Sequence, residues 1–252
     1  MSTEAPAPCG LTILLPAWNE EAGIERSIGA AVEVGEDLVA SGEIMDFEVL
    51  VVDDASTDAT PDILSRLCGQ DSRIRTVRHA YNRKLGGAIK TGFAESRGEI
   101  VLYTDSDLPF DLKESEKALR LMRYYEADVV AAYRHDRTGE GLQRLVYSHA
   151  YNSLIRAALG LRVRDVNFAA KLIKREVLDA CPLVSEGSFI DVELLAKAER
   201  KGFRIIQFGV DYFPRSRGVS TLSSGPVILK ILRELIALGP EIRASGPRTK
   251  PL

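Results

Sequence analysis

The sequence predicts an α/β protein built on a mostly parallel central sheet flanked by helices. Two observations carry that expectation. Short apolar runs suited to strands, LTILL, FEVLVVD, IRTVR, EIVLYT and DVVAAY, alternate with helix-like stretches around residues 20–40, 58–68, 86–96 and 111–125, which is the rhythm of βαβ units. Two of these runs end in clusters of carboxylates, and ligands of such sheets collect at the carboxyl ends of the strands.

Taken in chain order, the first run ends at Pro16, and PAWNEE then opens a helix at Asn19 or Glu20. Backbone N–H groups at that start would serve an anion or a base edge, or simply cap the helix. FEVLVVD delivers Asp53 and Asp54, with Ser56 to Asp58 supplying turn and cap chemistry for the next helix. Asp53 suits a base N–H or a ribose hydroxyl, since an acceptor at a strand end is placed to take one. After IRTVR, Arg83, Lys84, Gly86 and Gly87 form a loop-to-helix start that suits phosphate or a plain solvated turn. EIVLYT runs into TDSD, whose Asp105 and Asp107 are hard oxygen donors of the kind Mg²⁺ and Mn²⁺ prefer. An isolated D-x-D is more often a solvated turn; behind an apolar strand, with a second acidic pair behind another, the ligand reading gains.

Past residue 135 the rhythm changes. GLQRLVYSHAYNSLIRAALG predicts a long helix whose Tyr and Leu stripe suits core packing, and AAKLIKREVL and FRIIQFGVDYF predict further strands. In FIDVELL, Asp191 and Glu193 are the candidates for a general base. Two positions apart on a helix, they cannot share a face, so at most one is expected to point inward; alternatively both are acids favoured near a helix start.

The chain has 252 residues, 45% of them hydrophobic and 27% charged, enough for one sizeable soluble domain. A net charge of −3 gives no general attraction to nucleic acid. Cys9, Cys68 and Cys181, odd in number and widely spaced, argue against a disulfide framework and fit a reducing cytoplasm. The three histidines lack ligand spacing. Residues 1–10 lack a signal peptide's pattern and are expected to form a disordered arm, and no apolar run approaches the roughly 18 residues of a membrane span.

In SGPVILKILRELIALGPEIR, Val227, Ile228, Ile231, Leu232, Leu235 and Leu238 recur at helical spacing. They predict an amphipathic helix over 223–243, starting near Pro226 and interrupted at Gly239-Pro240, with a flexible tail over 244–252. Its apolar face suits packing on the domain, a second copy in a homodimer, or peripheral membrane contact through residues 224–243.

PAWNEE, VVDDASTDAT, NRKLGGAIKTGF and YTDSDLPFD, in this order and between these strands, resemble the nucleotide-sugar-binding half of an inverting family-2 glycosyltransferase of the GT-A fold. YRHDRTGEGLQRLVYSHAYN, RVRDVNFAAKLIKREVL and FPRSRGVST resemble its polyprenyl-phosphate (dolichyl-phosphate) sugar transferase branch. The resemblance covers residues 10–222 and is less specific for sugar and acceptor than for family. It implies that Pro16, Ala17, Asn19 and Glu20 form the first nucleotide-contacting loop, that Asp53 is the base-binding acid with Asp54 beside it, and that Lys84 belongs to the nucleotide side. It makes Asp105 and Asp107 the metal pair for Mg²⁺ or Mn²⁺. Arg134 is implied to meet the diphosphate, with Arg144 and Lys171 on the phosphate and acceptor side, and Arg215, Arg217 and Ser220 in a loop closing over donor and acceptor phosphates. Two departures stand out. Pro109 occupies the place of a metal-supporting Gln, and DVNFAAK replaces a Ser-Gly-Phe-Arg-like run while keeping Asp165 and Lys171.

The expected activity is hexose transfer from a nucleotide-diphosphate sugar, of GDP-mannose or UDP-glucose type, to a polyprenyl phosphate with inversion, at the cytoplasmic membrane face over domain 11–222. The alternatives are a soluble transferase acting on a small-molecule hydroxyl or amine, and a catalytically silent nucleotide-sugar-binding module. A nicotinamide-binding domain is disfavoured, because LTILLPAWNEEAGI lacks the G-x-G-x-x-G turn.

Overall fold

The structure, a computed structural model, describes residues 10–135, 142–213 and 225–246, with side chains described except at 142–149 and 225–232. Arg215, Arg217 and Ser220 lie outside the described residues, as do the first nine residues and the end of the tail, and the side chain of Arg144 is likewise outside the description.

Within these limits the chain runs β1 (Leu11–Ala17), α1 (Ile24–Ala40), β2 (Phe47–Asp53), α2 (Thr60–Gln70), β3 (Ile74–Arg78), α3 (Lys84–Glu95), β4 (Ile100–Thr104), α4 (Glu114–Tyr124), β5 (Val129–Arg134), α5 (Leu142–Leu159), β6 (Ala170–Lys174), α6 (Arg175–Ala180), α7 (Ile190–Arg200), β7 (Ile205–Val210) and α8 (Gly225–Ala244). One seven-stranded sheet has the order β3-β2-β1-β4-β6-β5-β7. It is mixed rather than purely parallel, because β6 runs antiparallel to both β4 and β5. The AAKLIKREVL run accordingly divides: Ala170–Lys174 is strand, and Arg175 turns into α6. Arg175 holds that corner by donating to the carbonyls of Phe93, Ser96 and Gly98.

Strand residues alternate between two apolar layers, as a period of two requires. Ile13, Leu15, Val49 and Val51 pack with Ile24, Ile28, Leu64 and Leu119 of α1, α2 and α4. Leu14, Leu50, Val52 and Tyr103 pack on the other face with Ile89 and Phe93 of α3, Ile155 of α5 and Leu194 of α7. With both faces covered, the central strands β1 and β4 are buried along their whole length, as expected where helices cover both faces of a sheet.

α8 does not break at Gly239-Pro240. The N–H that Pro240 lacks costs one intrahelical bond, but tertiary contacts hold the last turn: Ile242 is fully buried, Glu241 pairs with Lys197 at 3.0 Å, and Arg243 donates to the Ala158 carbonyl. Leu235 and Ile242 belong to the α7-side core and Leu238 packs against it. In the part of α8 whose side chains are described, the apolar stripe therefore packs on the domain. Among the described residues, no helix is long and apolar enough to cross a membrane.

Candidate active site

The parallel strands bring Ala17, Asp53, Arg78, Thr104 and Arg134 to one edge of the sheet, with Ala17 opposite Asp53 and Asp53 opposite Arg78 in register. Being consecutive at the end of a strand, Asp53 and Asp54 point to opposite faces and do different work. Asp54 Oδ1 takes the Arg83 N–H at 2.7 Å and a His79 Nδ1 contact at 2.7 Å, while His79 Nε2 reaches Thr91 at 2.9 Å. This buried set fastens the loop before α3 to the sheet. Asp53 faces the other layer. Its Oδ1 accepts the Ser56 N–H at 2.9 Å. Arg78 Nε lies 3.1 Å from Oδ2 but is not aligned as a hydrogen bond, so that buried oxygen lacks a hydrogen-bond partner among the described residues.

The loop after β1 differs from its expected form. Asn19 has φ 55° and opens no helix; α1 begins only at Ile24. The N–H groups of Asn19, Glu20 and Glu21 are not free for an anion, because they donate to Ser56 Oγ, Thr60 Oγ1 and Asp58 Oδ2. In return Asn19 Oδ1 accepts the Thr57 N–H at 2.8 Å and Glu21 the Ala59 N–H at 2.9 Å. Asp58 therefore caps α2 through Thr60 and also joins the two loops. The outcome is a rigid double loop around Pro16, Ala17 and Asp53. Lys84 starts α3 at φ 65°. The Gly86 N–H is spent on the Glu186 carbonyl at 3.0 Å rather than left for phosphate.

Asp105 and Asp107, both half-buried, leave β4 in a tight turn in which the Leu108 N–H returns to the Asp105 carbonyl and Leu108 takes φ 50°. Pro109 contributes no ligand, but its carbonyl accepts the Phe213 N–H at 2.9 Å, tying this turn to the segment after β7. Among the described residues no three His, Cys, Asp or Glu side chains gather as a metal cage. Two carboxylates, with the remaining positions left to phosphate oxygens and water, still fit the way Mg²⁺-type sites are built.

Across the sheet from Asp53, three carboxylates each meet a cation. Arg134 donates through Nε and Nη2 to the two oxygens of Asp165, at 2.8 and 3.1 Å, with its guanidinium over the Phe168 and Tyr212 rings. Lys171, fully buried opposite Tyr103 on β4, gives its Nζ to Asp191 Oδ1 at 2.6 Å and to the Phe168 carbonyl at 2.8 Å. Glu193 pairs with Lys197 at 2.8 Å and accepts the N–H groups of Val184 and Ser185. Asp191 and Glu193 thus both point inward, contrary to the helical-face argument, because α7 is buried on every side from Ile190 to Ala198. Burial raises the Asp191 carboxyl above the ordinary range, against the pull of Lys171. Burial also pushes the Tyr103 phenol well above its ordinary value, with the charges of Asp191 and Asp105 adding to it.

Arg78 and His79, which the sequence pattern does not single out, are brought to this edge against Asp53 and Asp54. The signal was available: they end and follow a strand whose register partner is Asp53.

The glycosyl transferase family 2 model matches residues 12–181. The chain is 32% identical over 237 residues to glycosyltransferase AglD of Haloferax volcanii, covering 92% of this chain and 36% of that protein. It is 26% identical over 221 residues to the undecaprenyl-phosphate 4-deoxy-4-formamido-L-arabinose transferase of Pectobacterium carotovorum, covering 84% of this chain and 62% of that one. The chain therefore spans less than two thirds of these relatives. Among solved structures, glucosyl-3-phosphoglycerate synthase from Mycobacterium tuberculosis in complex with UDP superposes with a TM-score of 0.67 at 24% identity, over 97% of this chain and 83% of that one. The same enzyme with Mn²⁺ and UDP-glucose gives 0.67 at 23% identity, over 97% and 82%. The architecture is the GT-A one.

Proposed function

The chain belongs to glycosyl transferase family 2, and on that premise we propose that it transfers a hexose, with inversion, from a nucleoside-diphosphate sugar to a polyprenyl phosphate. The observation that carries the acceptor class is the pairing of Asp165, Asp191 and Glu193 with Arg134, Lys171 and Lys197. A hydroxyl or amine acceptor needs a carboxylate to take its proton as it attacks. A phosphate monoester arrives ionised and needs none. Both candidate bases are instead closed to solvent and committed to lysines. The undecaprenyl-phosphate transferase among the relatives agrees with this acceptor.

In this reading the double loop of Pro16, Ala17, Asn19 and Glu20 with Asp53 receives the nucleoside. Asp105 and Asp107 hold a divalent cation, Mg²⁺ or Mn²⁺, which when bound offsets the charge developing on the departing diphosphate. Arg134 is kept in one orientation by Asp165 and two aromatic faces, so its charge is fixed beside the reaction path at no reorganisation cost. Lys84 stands at the start of α3 on the nucleotide side. Arg144, Arg215, Arg217 and Ser220 complete the phosphate contacts by resemblance, in a catalytic unit spanning 11–222 with the helix of 223–243 beside it. Peripheral membrane contact through 224–243, on the cytoplasmic face, belongs to the same reading, without Leu235 and Leu238, which pack on the domain.

The test is transfer of radiolabelled hexose from UDP- and GDP-sugars to undecaprenyl phosphate in detergent with Mn²⁺. Label moving into the organic phase is the expected result. Label moving only to hydroxyl acceptors would overturn the acceptor assignment, and no transfer to any acceptor would favour a binding module.

A further inference from the structure

We infer that Tyr212, anchored by Pro109, is a positioning residue that ties Arg134 to the turn carrying Asp105 and Asp107, an inference that rests on the diphosphate reading of Arg134 above. That turn has little freedom. Leu108 takes φ 50°, which a side chain disfavours, and packs against the layer of α1, α2 and α4. Pro109 then fixes its own φ and has no N–H to give. What it offers a neighbour is its carbonyl, to which the Phe213 N–H donates at 2.9 Å. Phe110, next in the chain and 3% exposed, sends a second contact the same way. Its ring meets Phe168 with centroids 6.1 Å apart, and Phe168 meets Tyr212 at 6.2 Å, both edge to face.

Both routes end at one guanidinium. Arg134 Cζ lies 5.2 Å from the Tyr212 ring centroid and 5.6 Å from that of Phe168, close enough for a cation to be drawn to a ring face. Asp165 grips the fork through two hydrogen bonds, which fixes its direction and leaves it able to roll about that edge. The two rings oppose the roll. Phe110, Arg134, Phe168 and Tyr212 come from the exits of β4 and β5, the approach to β6 and the exit of β7, so no single element holds the arrangement. Because Pro109 and Phe110 directly follow the metal-pair turn, a shift of that turn carries Tyr212 and Phe168 with it. The carboxylates that would hold the cation and the arginine that would meet the same diphosphate therefore keep one spacing before substrate arrives, as preorganised charge requires. Position 109, where a proline stands in place of a side-chain ligand, serves the site through its backbone.

The experiment is calorimetric titration of the full chain by UDP and by GDP, with Mn²⁺ present. Whichever diphosphate the unmodified protein binds more tightly, Tyr212→Leu should weaken it ~5-fold or more, the scale of one cation–π contact, and Tyr212→Phe, which keeps the ring, should stay within ~2-fold. In a background with Arg134→Met and Asp165→Asn, where neither charge is left stranded, Tyr212→Leu should cost nothing further, because residues that act through one another are not additive. Phe213→Pro deletes the N–H that Pro109 accepts at a side chain 53% exposed. It should reproduce the Tyr212→Leu loss with the melting transition unchanged, and it carries the same cycle if Tyr212→Leu fails to fold. An equal loss with and without Arg134, or no loss in either variant, would overturn the positioning role and leave nucleotide binding standing. Affinity unaltered by replacing Arg134 would overturn its diphosphate reading and this inference with it, and no binding of either nucleotide would overturn the donor reading as well.

Discussion

Lys171 Nζ sits 2.6 Å from Asp191 Oδ1, and both side chains are closed to solvent, at 0% and 4% exposure. The pair joins β6, which runs antiparallel to both of its neighbours, to the first turn of α7. Removing one partner of such a pair strands a charge in the core, at about 3–5 kcal/mol, whereas replacing both by apolar groups is often neutral or stabilising. Lys171→Met alone should therefore destabilise by about that amount, and Lys171→Met with Asp191→Leu should recover most of it. Denaturant midpoints of the three variants check this; strictly additive losses would contradict it.

The same pair makes a kinetic prediction. If Asp191 is a positioning residue rather than a base, Asp191→Asn keeps an oxygen for Lys171 and should lower kcat by less than ~10-fold, whereas loss of a true general base costs about 10²–10⁴-fold. A pH–rate profile separates the two further, because a positioning role predicts that its acid limb is unchanged in the variant. Disappearance of that limb would return Asp191 to the role of base.

Much of the fold was legible because strand runs, strand ends and their parity are written in hydropathy. The separate duties of Asp53 and Asp54 follow from a strand's alternation alone. The direction of β6 was not legible, since hydropathy does not encode which way a strand runs. The inward turn of both Asp191 and Glu193 was hidden for a related reason: facial arguments assume a helix with one wet side, and α7 has none. The loop before α1 looked like a helix start because its N–H acceptors, Ser56 and Thr60, lie 37 and 40 residues further along the chain.

Metal dependence follows from the Asp105–Asp107 turn. Asp107→Ala should abolish turnover, and chelator should silence the unaltered enzyme until Mg²⁺ or Mn²⁺ is restored. Full activity in chelator would show that the diphosphate is neutralised by side chains alone.

Acid stability should depend on Glu48. Its carboxylate is largely buried, which alone would raise its pKa, but the hydrogen bond from Arg75, the N–H of Arg97 and the Thr12 hydroxyl together outweigh burial and hold it below the ordinary 4.5. A folded-state value below the unfolded one means that the stabilisation is complete above pH 4.5 and is lost as pH falls through the folded value. Glu48→Gln should therefore cost stability at neutral pH and flatten the decline of the melting temperature below pH 4.5. An unchanged acid slope would remove Glu48 from the linkage.

Gly86 offers the sharpest test of how the two halves of the edge are joined. A Cβ at this position would lie 2.6 Å from the Ser185 carbonyl oxygen and from the Glu186 carbonyl carbon, both backbone atoms with no rotamer to yield. The close approach is what lets the Gly86 N–H reach the Glu186 carbonyl. The segment it holds is pinned from below by Glu193, which takes the N–H groups of Val184 and Ser185, and from the side by Lys90 on the Val184 carbonyl. Gly86→Ala must push this segment outward, so it should cost about 1–3 kcal/mol, as overpacking does. It should also raise the KM for acceptor more than that for donor, because the displaced segment leads into α7 and Asp191 rather than to Asp53. Gly69→Ala, in α2 where a Cβ would meet nothing within 4 Å, is the control and should raise stability by up to about 1 kcal/mol through helix propensity while leaving both KM values within error. A donor-specific defect in Gly86→Ala would instead mean that this contact shapes the nucleotide side.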